Sequence, residues 1–87
     1  SFNYFENDDL VRIYPNPNNG NFNIRINNYI GKVNIQVIDI NGRIVNEFIN
    51  EDFNIEKSLN LSSFQSGMYI IKINGDNLNY TKKIIKN

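Results

Sequence analysis

Alternation of apolar and polar residues, cut at short intervals by turn chemistry, constrains this chain more than any other feature. Phe22, Ile24 and Ile26 alternate with Asn23, Arg25 and Asn27; Val33, Ile35 and Val37 alternate with Asn34 and Gln36. A period of two puts each apolar set on one face of a strand. Tyr69, Ile71 and Ile73 share a parity, as do Phe53, Ile55, Leu59 and Leu61, and then Leu78, Tyr80 and Ile84. Helical periodicity is weak throughout. One region departs from the rule: after Val37 the apolar residues Ile38 and Ile40 fall on the opposite parity, which calls for either a bulge or a strand buried on both faces.

The separators explain why the strands stop. Asn41-Gly42 lies between two apolar runs, and both residue types accept positive φ, the requirement of a tight hairpin. Asn74-Gly75-Asp76-Asn77 separates the last two runs in the same way. Pro15 and Pro17 fix φ and lack an N–H, so residues 15–20 cannot continue a central strand. Residues 62–67 read as a compact connection, one helical turn with Gly67 as its left-handed stop. The pattern predicts about seven strands, near 10–14, 21–27, 33–40, 43–49, 53–60, 68–74 and 78–86, hence an all-β immunoglobulin-like sandwich of antiparallel strands in two sheets. Residues 1–9 read as a linker and 10–87 as the domain.

Composition narrows function mainly by exclusion. A chain of 87 residues makes one domain. Nine basic and nine acidic side chains cancel, which argues against general nucleic-acid binding. Cysteine and histidine are absent, removing disulfides, thiolate nucleophiles, the commonest general base and the commonest metal ligand. The serines have no histidine partner, so no triad is visible. No Asp-x-Asp-x-Asp-Gly loop offers a calcium site. No enzyme, cofactor or metal is expected. No run of apolar residues is long enough for a transmembrane helix.

Four motifs remain: Tyr14-Pro15-Asn16-Pro17-Asn18-Asn19-Gly20, Asp39-Ile40-Asn41-Gly42-Arg43, Ser66-Gly67-Met68-Tyr69 and Lys82-Lys83-Ile84-Ile85-Lys86. Each alone is a turn or a strand end. In this order and spacing they resemble the type A C-terminal sorting domain of the type IX secretion system. Phe64, where that family usually has Leu, is a mild departure. The resemblance implies a secretion signal carried at the end of a larger exported protein of a Bacteroidota-type Gram-negative bacterium. It implies transit through the periplasm to an outer-membrane translocon, with an outer-membrane shuttle protein and a sortase-like peptidase as partners. Cleavage and attachment to, or release from, the cell surface would follow. A monomer is expected.

Pro15, Asn16, Pro17, Gly20, Lys82 and Lys83 are the expected recognition residues. Asp39, Gly42, Arg43, Gly67 and Tyr69 are the expected structural ones, with Asp39 capping N–H groups across its turn. Because adjacent strand residues face opposite ways, only one of Lys82 and Lys83 can point inward. The rival reading is a carbohydrate-binding or adhesive sandwich. It rests on five Tyr and six Phe and predicts Tyr14 and Tyr29 exposed together, with Phe2 and Tyr4 on the arm. A plain structural spacer is the third reading.

Overall fold

The computed structural model describes residues 10–87; the linker assigned to residues 1–9, with Phe2 and Tyr4, lies outside the described residues. The regular elements are five strands: β1 (Val11–Tyr14), β2 (Asn21–Ile38), β3 (Ile44–Asn60), β4 (Gly67–Gly75) and β5 (Leu78–Lys86). All pairings between them are antiparallel. The connection before β4 is a turn, closed by the Phe64 N–H donating to the Leu61 carbonyl at 3.0 Å, and not a turn of helix.

The chain is therefore all-β, but the seven strands in two sheets become five in one curled sheet. The predicted strands 21–27 and 33–40 are two halves of β2, and 43–49 and 53–60 are two halves of β3. What looked like breaks are bends within a paired hairpin. Arg25 pairs with Glu56 and Ile30 with Asn54, so β2 advances five residues while β3 advances two. The odd mismatch moves the core-facing set of β2 from Phe22, Ile24 and Ile26 to Val33, Ile35 and Val37. Asn28 takes φ 62° in the bend, and Asn50 takes φ 56° at a second irregularity. Asparagine tolerates this region. Ile55, at φ 69°, is β-branched and does not.

β3 occupies one edge of β2 along nearly its whole length, so β1 and β4 share the other. β1 pairs with residues 23–26 and β4 with residues 33–38. The curl brings the inner faces of both halves onto one core, which includes Val11, Phe22, Ile24, Ile35, Leu61, Ile71, Ile73 and Ile84. Tyr29 pins the bend of β2 to the β4–β5 turn: its hydroxyl donates to the Lys32 carbonyl at 2.7 Å and accepts from the Asp76 N–H at 3.1 Å. Its ring meets Phe53 edge-on.

Alternation in β2 runs unbroken past Val37, and the bulge at this point lies on the partner strand. Val37 faces Asn46 and Ile38 faces Ile44, leaving Val45 as the extra residue on β3. Ile38 therefore faces the outer side of the sheet, half-buried, and Ile40 lies exposed in the turn after β2.

Replacing Ile71, which is fully buried, by alanine should cost about 2–5 kcal/mol in urea unfolding, through lost transfer energy and a residual cavity. Ile49→Ala, at an exposed position of the edge strand β3, should stay within about 0.5 kcal/mol of the parent. Similar losses at both positions would contradict this placement of the core.

Candidate functional site

The last strand has two edges, and the first motif occupies one of them. β5 pairs with β4 from Leu78 to Lys86. On its other side the backbone of Lys83, Ile85 and Asn87 meets the loop between β1 and β2. The Asn16 side chain acts there as a peptide group would. Its Nδ2 donates to the Lys83 carbonyl at 3.2 Å, and its Oδ1 accepts from the Ile85 N–H at 3.0 Å. Asn18 continues the pairing with its own backbone: its N–H donates to the Ile85 carbonyl at 2.9 Å, and its carbonyl accepts from the Asn87 N–H at 2.7 Å. The result is a short parallel bridge, Asn18 to Lys86.

The loop is held in shape from within. Asn18 is only 4% exposed, and its amide is used on both sides. Nδ2 donates to the Pro15 carbonyl at 3.2 Å and Oδ1 accepts from the Gly20 N–H at 2.8 Å. A buried amide with both ends satisfied fixes a single arrangement. Pro15 and Pro17 are exposed, and both preceding peptide bonds are cis. Gly20 closes the loop at φ 115°, and a Cβ there would stand 2.7 Å from the Ser62 backbone. The Gly20 carbonyl accepts from the Leu61 N–H at 2.6 Å. Both the conformation and the space demand glycine. At the loop's start the Tyr14 hydroxyl donates to Glu56 at 2.8 Å, and Arg25 approaches the same carboxylate at 3.3 Å. Accepting this bond, Glu56 raises the phenol above its usual range.

The second motif is a closed turn built on one carboxylate. Asp39 Oδ1 accepts the N–H groups of Asn41 and Arg43, each at 2.9 Å. Oδ2 accepts the Arg43 guanidinium at 3.0 Å. Gly42 supplies φ 83°. The Arg43 N–H, and after it the guanidinium, lower the Asp39 pKa below its ordinary 3.8. In the third motif Gly67 takes φ 146°. Tyr69 is buried, with its hydroxyl donating to the Gln65 carbonyl at 2.6 Å and its ring beside Phe64.

All four motifs meet at one end of the sheet. Ile38, just before Asp39, pairs with Ile70; Gly67 pairs with Lys86; Lys86 bridges to Asn18. The Asp39–Arg43 turn and the Ser66–Tyr69 segment face each other across an open cleft of about 600 Å³. Lys82 and Lys83 stand slightly apart, at the exposed side of β5. Lys82 shares the inward parity of Tyr80 and Ile84 yet reaches solvent, while Lys83 lies on the outer face opposite Ile70.

The convergence includes residues that motif reading alone passed over. Asn18 is the buried keystone of the loop, and Lys86 is buried against Gly20. Parity could have found Lys86, which falls in phase with Leu78, Tyr80 and Ile84. Tyr14 and Tyr29 do not stand as paired open rings: the hydroxyl of Tyr14 is held by Glu56, and Tyr29 is half-buried in the β2 bend. No group of His, Cys, Asp or Glu among the described residues is arranged to hold a metal ion.

A family model described as the secretion system C-terminal sorting domain matches residues 12–87, from β1 to the last residue. The chain belongs to that family. It is a sorting domain of the type IX secretion system, and that family is not an enzymatic one. A search of curated proteins found no match. As a sorting signal the domain implies interaction with the secretion system and export to the cell surface or extracellular space of a Gram-negative bacterium. No helix among the described residues is long and apolar enough to cross a membrane.

Asn16→Ala removes two hydrogen bonds from the β5 edge and should cost the sorting domain about 1–2 kcal/mol in urea unfolding. Gly20→Ala should cost more, because backbone conformation and backbone contact both oppose it. An Asn16→Ala domain of unchanged stability would contradict the pairing.

For Asp39 the sign follows from its lowered pKa. Folding favours the ionised form, so its contribution is complete above the ordinary value and disappears as pH falls through the lowered one. Asp39→Asn should therefore be less stable than the parent at neutral pH. The gap should close as pH falls below the ordinary value of 3.8, read from thermal melts at successively lower pH. A gap that is constant with pH would show that ionisation of Asp39 does not matter.

Proposed function

We propose that this domain delivers an upstream cargo protein to the type IX translocon as a folded unit, and that the assembled end of the sheet is the address. The observation that carries the reading is the pairing of the Asn16–Asn18 loop with the backbone of Lys83 to Asn87. Two motifs nearly the whole chain apart form one surface only when the domain is folded. A receptor contacting that surface reads fold and sequence together.

In this reading Pro15, Asn16, Pro17 and Gly20 present a rigid loop, which lowers the entropy cost of recognition. Lys82 and Lys83 supply charge at the adjoining exposed side of β5. Asp39, Gly42, Arg43, Gly67 and Tyr69 support the same end from beneath. The partners are an outer-membrane shuttle protein and a sortase-like peptidase, met in the periplasm and at the outer membrane. Cleavage in or before residues 1–9, the link to the cargo, precedes surface attachment or release. The domain acts as a monomer and has no chemistry of its own.

The test is secretion of a reporter. Residues 1–87 are fused behind an exported fluorescent protein in a host with a type IX system and in a translocon-deficient strain. Deleting the last strand is a poor control, because Ile84 is fully buried and its loss would unfold the domain. Lys82→Ala with Lys83→Ala leaves the core intact. Reporter outside the cell only in the competent strain, and at least several-fold less of it with the double substitution, is the expected result. Equal amounts in both strains would refute the sorting role. Undiminished export by the double variant would remove the two lysines from the address.

A further inference from the structure

The outer face of the sheet carries an apolar patch where an antiparallel sheet with one solvated face should be polar. Ile44, Ile38 and Ile70 stand side by side across β3, β2 and β4, and the row ends at Lys83 of β5. Met68 pairs with Ile85 in the next row. Apart from half-buried Ile38, these apolar side chains are 36–50% exposed. Ile38, out of phase with the buried set of β2, enters no core. Contiguous exposed apolar groups of this kind mark interaction surfaces.

Charge says what fits there. The cations of β2, β3 and the Asp39 turn have partners: Arg25 with Glu56, Lys32 with Asp52, Lys57 with Glu51, and Arg43 with Asp39. The β4–β5 hairpin holds Lys72, Lys82, Lys83 and Lys86, none of which is ion-paired among the described residues. Lys83 borders the patch through its pairing with Ile70, and Lys72 lies two residues along β4 on the same face; in the row of Lys72 the one carboxylate, Glu47, accepts a hydrogen bond from Gln36 at 2.9 Å. Of the hairpin's lysines, Lys72 and Lys83 lie on the outer face, so among the described residues the apolar face is bordered by two cations without an ion pair. The patch is made of aliphatic side chains on a broad sheet, with no Trp, Tyr or Phe at its centre, unlike surfaces that settle into a lipid interface.

We infer that this face docks a protein whose surface is apolar at its centre and rimmed by carboxylates, a contact that deepens the sorting reading and rests on it. The patch adjoins the paired loop through Ile85, whose backbone the loop holds and whose side chain the patch includes. One partner can therefore cover both. Apolar contact supplies affinity, and the lysines supply orientation and encounter rate.

The test uses the full domain behind the reporter. Ile70→Ser with Ile85→Ser removes the centre of the patch; Lys72→Glu with Lys83→Glu keeps the apolar groups and reverses the rim. Each purified variant is first checked for cooperative melting. The inference expects both folded variants to lower export at least tenfold, and neither they nor the parent to sediment with phosphatidylglycerol vesicles. Export of the folded variants at the parent's level would overturn it while leaving the sorting role intact. Vesicle binding by the parent, lost in Ile70→Ser/Ile85→Ser, would overturn it in favour of a membrane contact. Should the parent itself fail to leave a competent cell, the sorting reading fails first and the docking face with it.

Discussion

The pairing of the Asn16–Asn18 loop with the outer edge of β5 organises the functional end of this domain. A terminal strand has one neighbour and would leave a row of N–H and C=O groups open to adventitious partners. Here the C-terminal part of that row is answered by a side-chain amide followed by a backbone segment. The arrangement needs Asn18 buried with its amide satisfied, Gly20 in a conformation and a space that exclude a Cβ, and the Leu61 N–H to hold Gly20 in place. Each requirement falls within or against the first motif, so its residues are explained by one interaction rather than by separate roles.

The other motifs complete the same end by different means. Asp39 folds its turn around one carboxylate, which frees that hairpin from dependence on packing. Gly67 lets β4 begin next to Lys86, and Tyr69 ties the strand's start to the preceding loop through Gln65. These are local solutions, readable in isolation. Their convergence is not local, because it depends on β2 reaching from the first motif's end of the chain to the second, with β4 laid along it and β5 along β4. The sorting role and the fold are coupled at that level: the signal is spread over the chain, and folding assembles it.

Much of the inner face was legible. Alternation placed Phe22, Ile24, Ile26, Val33, Ile35, Val37, Tyr69, Ile71, Ile73 and Ile84, all buried. The strand count was not, for a physical reason. Asn28 and Asn50 at positive φ, with register shifts in the pairing, bend a strand without ending its ladder; in sequence a bend and a turn use the same residues. The motifs marked the candidate end, but the roles within them were hidden. Asn16 and Asn18 look alike in sequence; one reaches out to β5 and the other is turned inward. Ile38 and Ile40 look like core residues out of phase; in the structure Ile38 continues the alternation onto the outer face and Ile40 stands in the turn.

Native-state hydrogen exchange of individual amides tests the central claim most directly. The Ile85 and Asn87 amides are held by the loop, whereas those of Thr81 and Lys83, on the same edge of β5, have no loop against them among the described residues. The account predicts Ile85 and Asn87 protected to a degree approaching the β4–β5 ladder, and Thr81 and Lys83 exchanging as exposed edge amides. Exchange of Ile85 and Asn87 as fast as that of Thr81 and Lys83 would contradict it, for the first and last motifs would then not form one surface in solution.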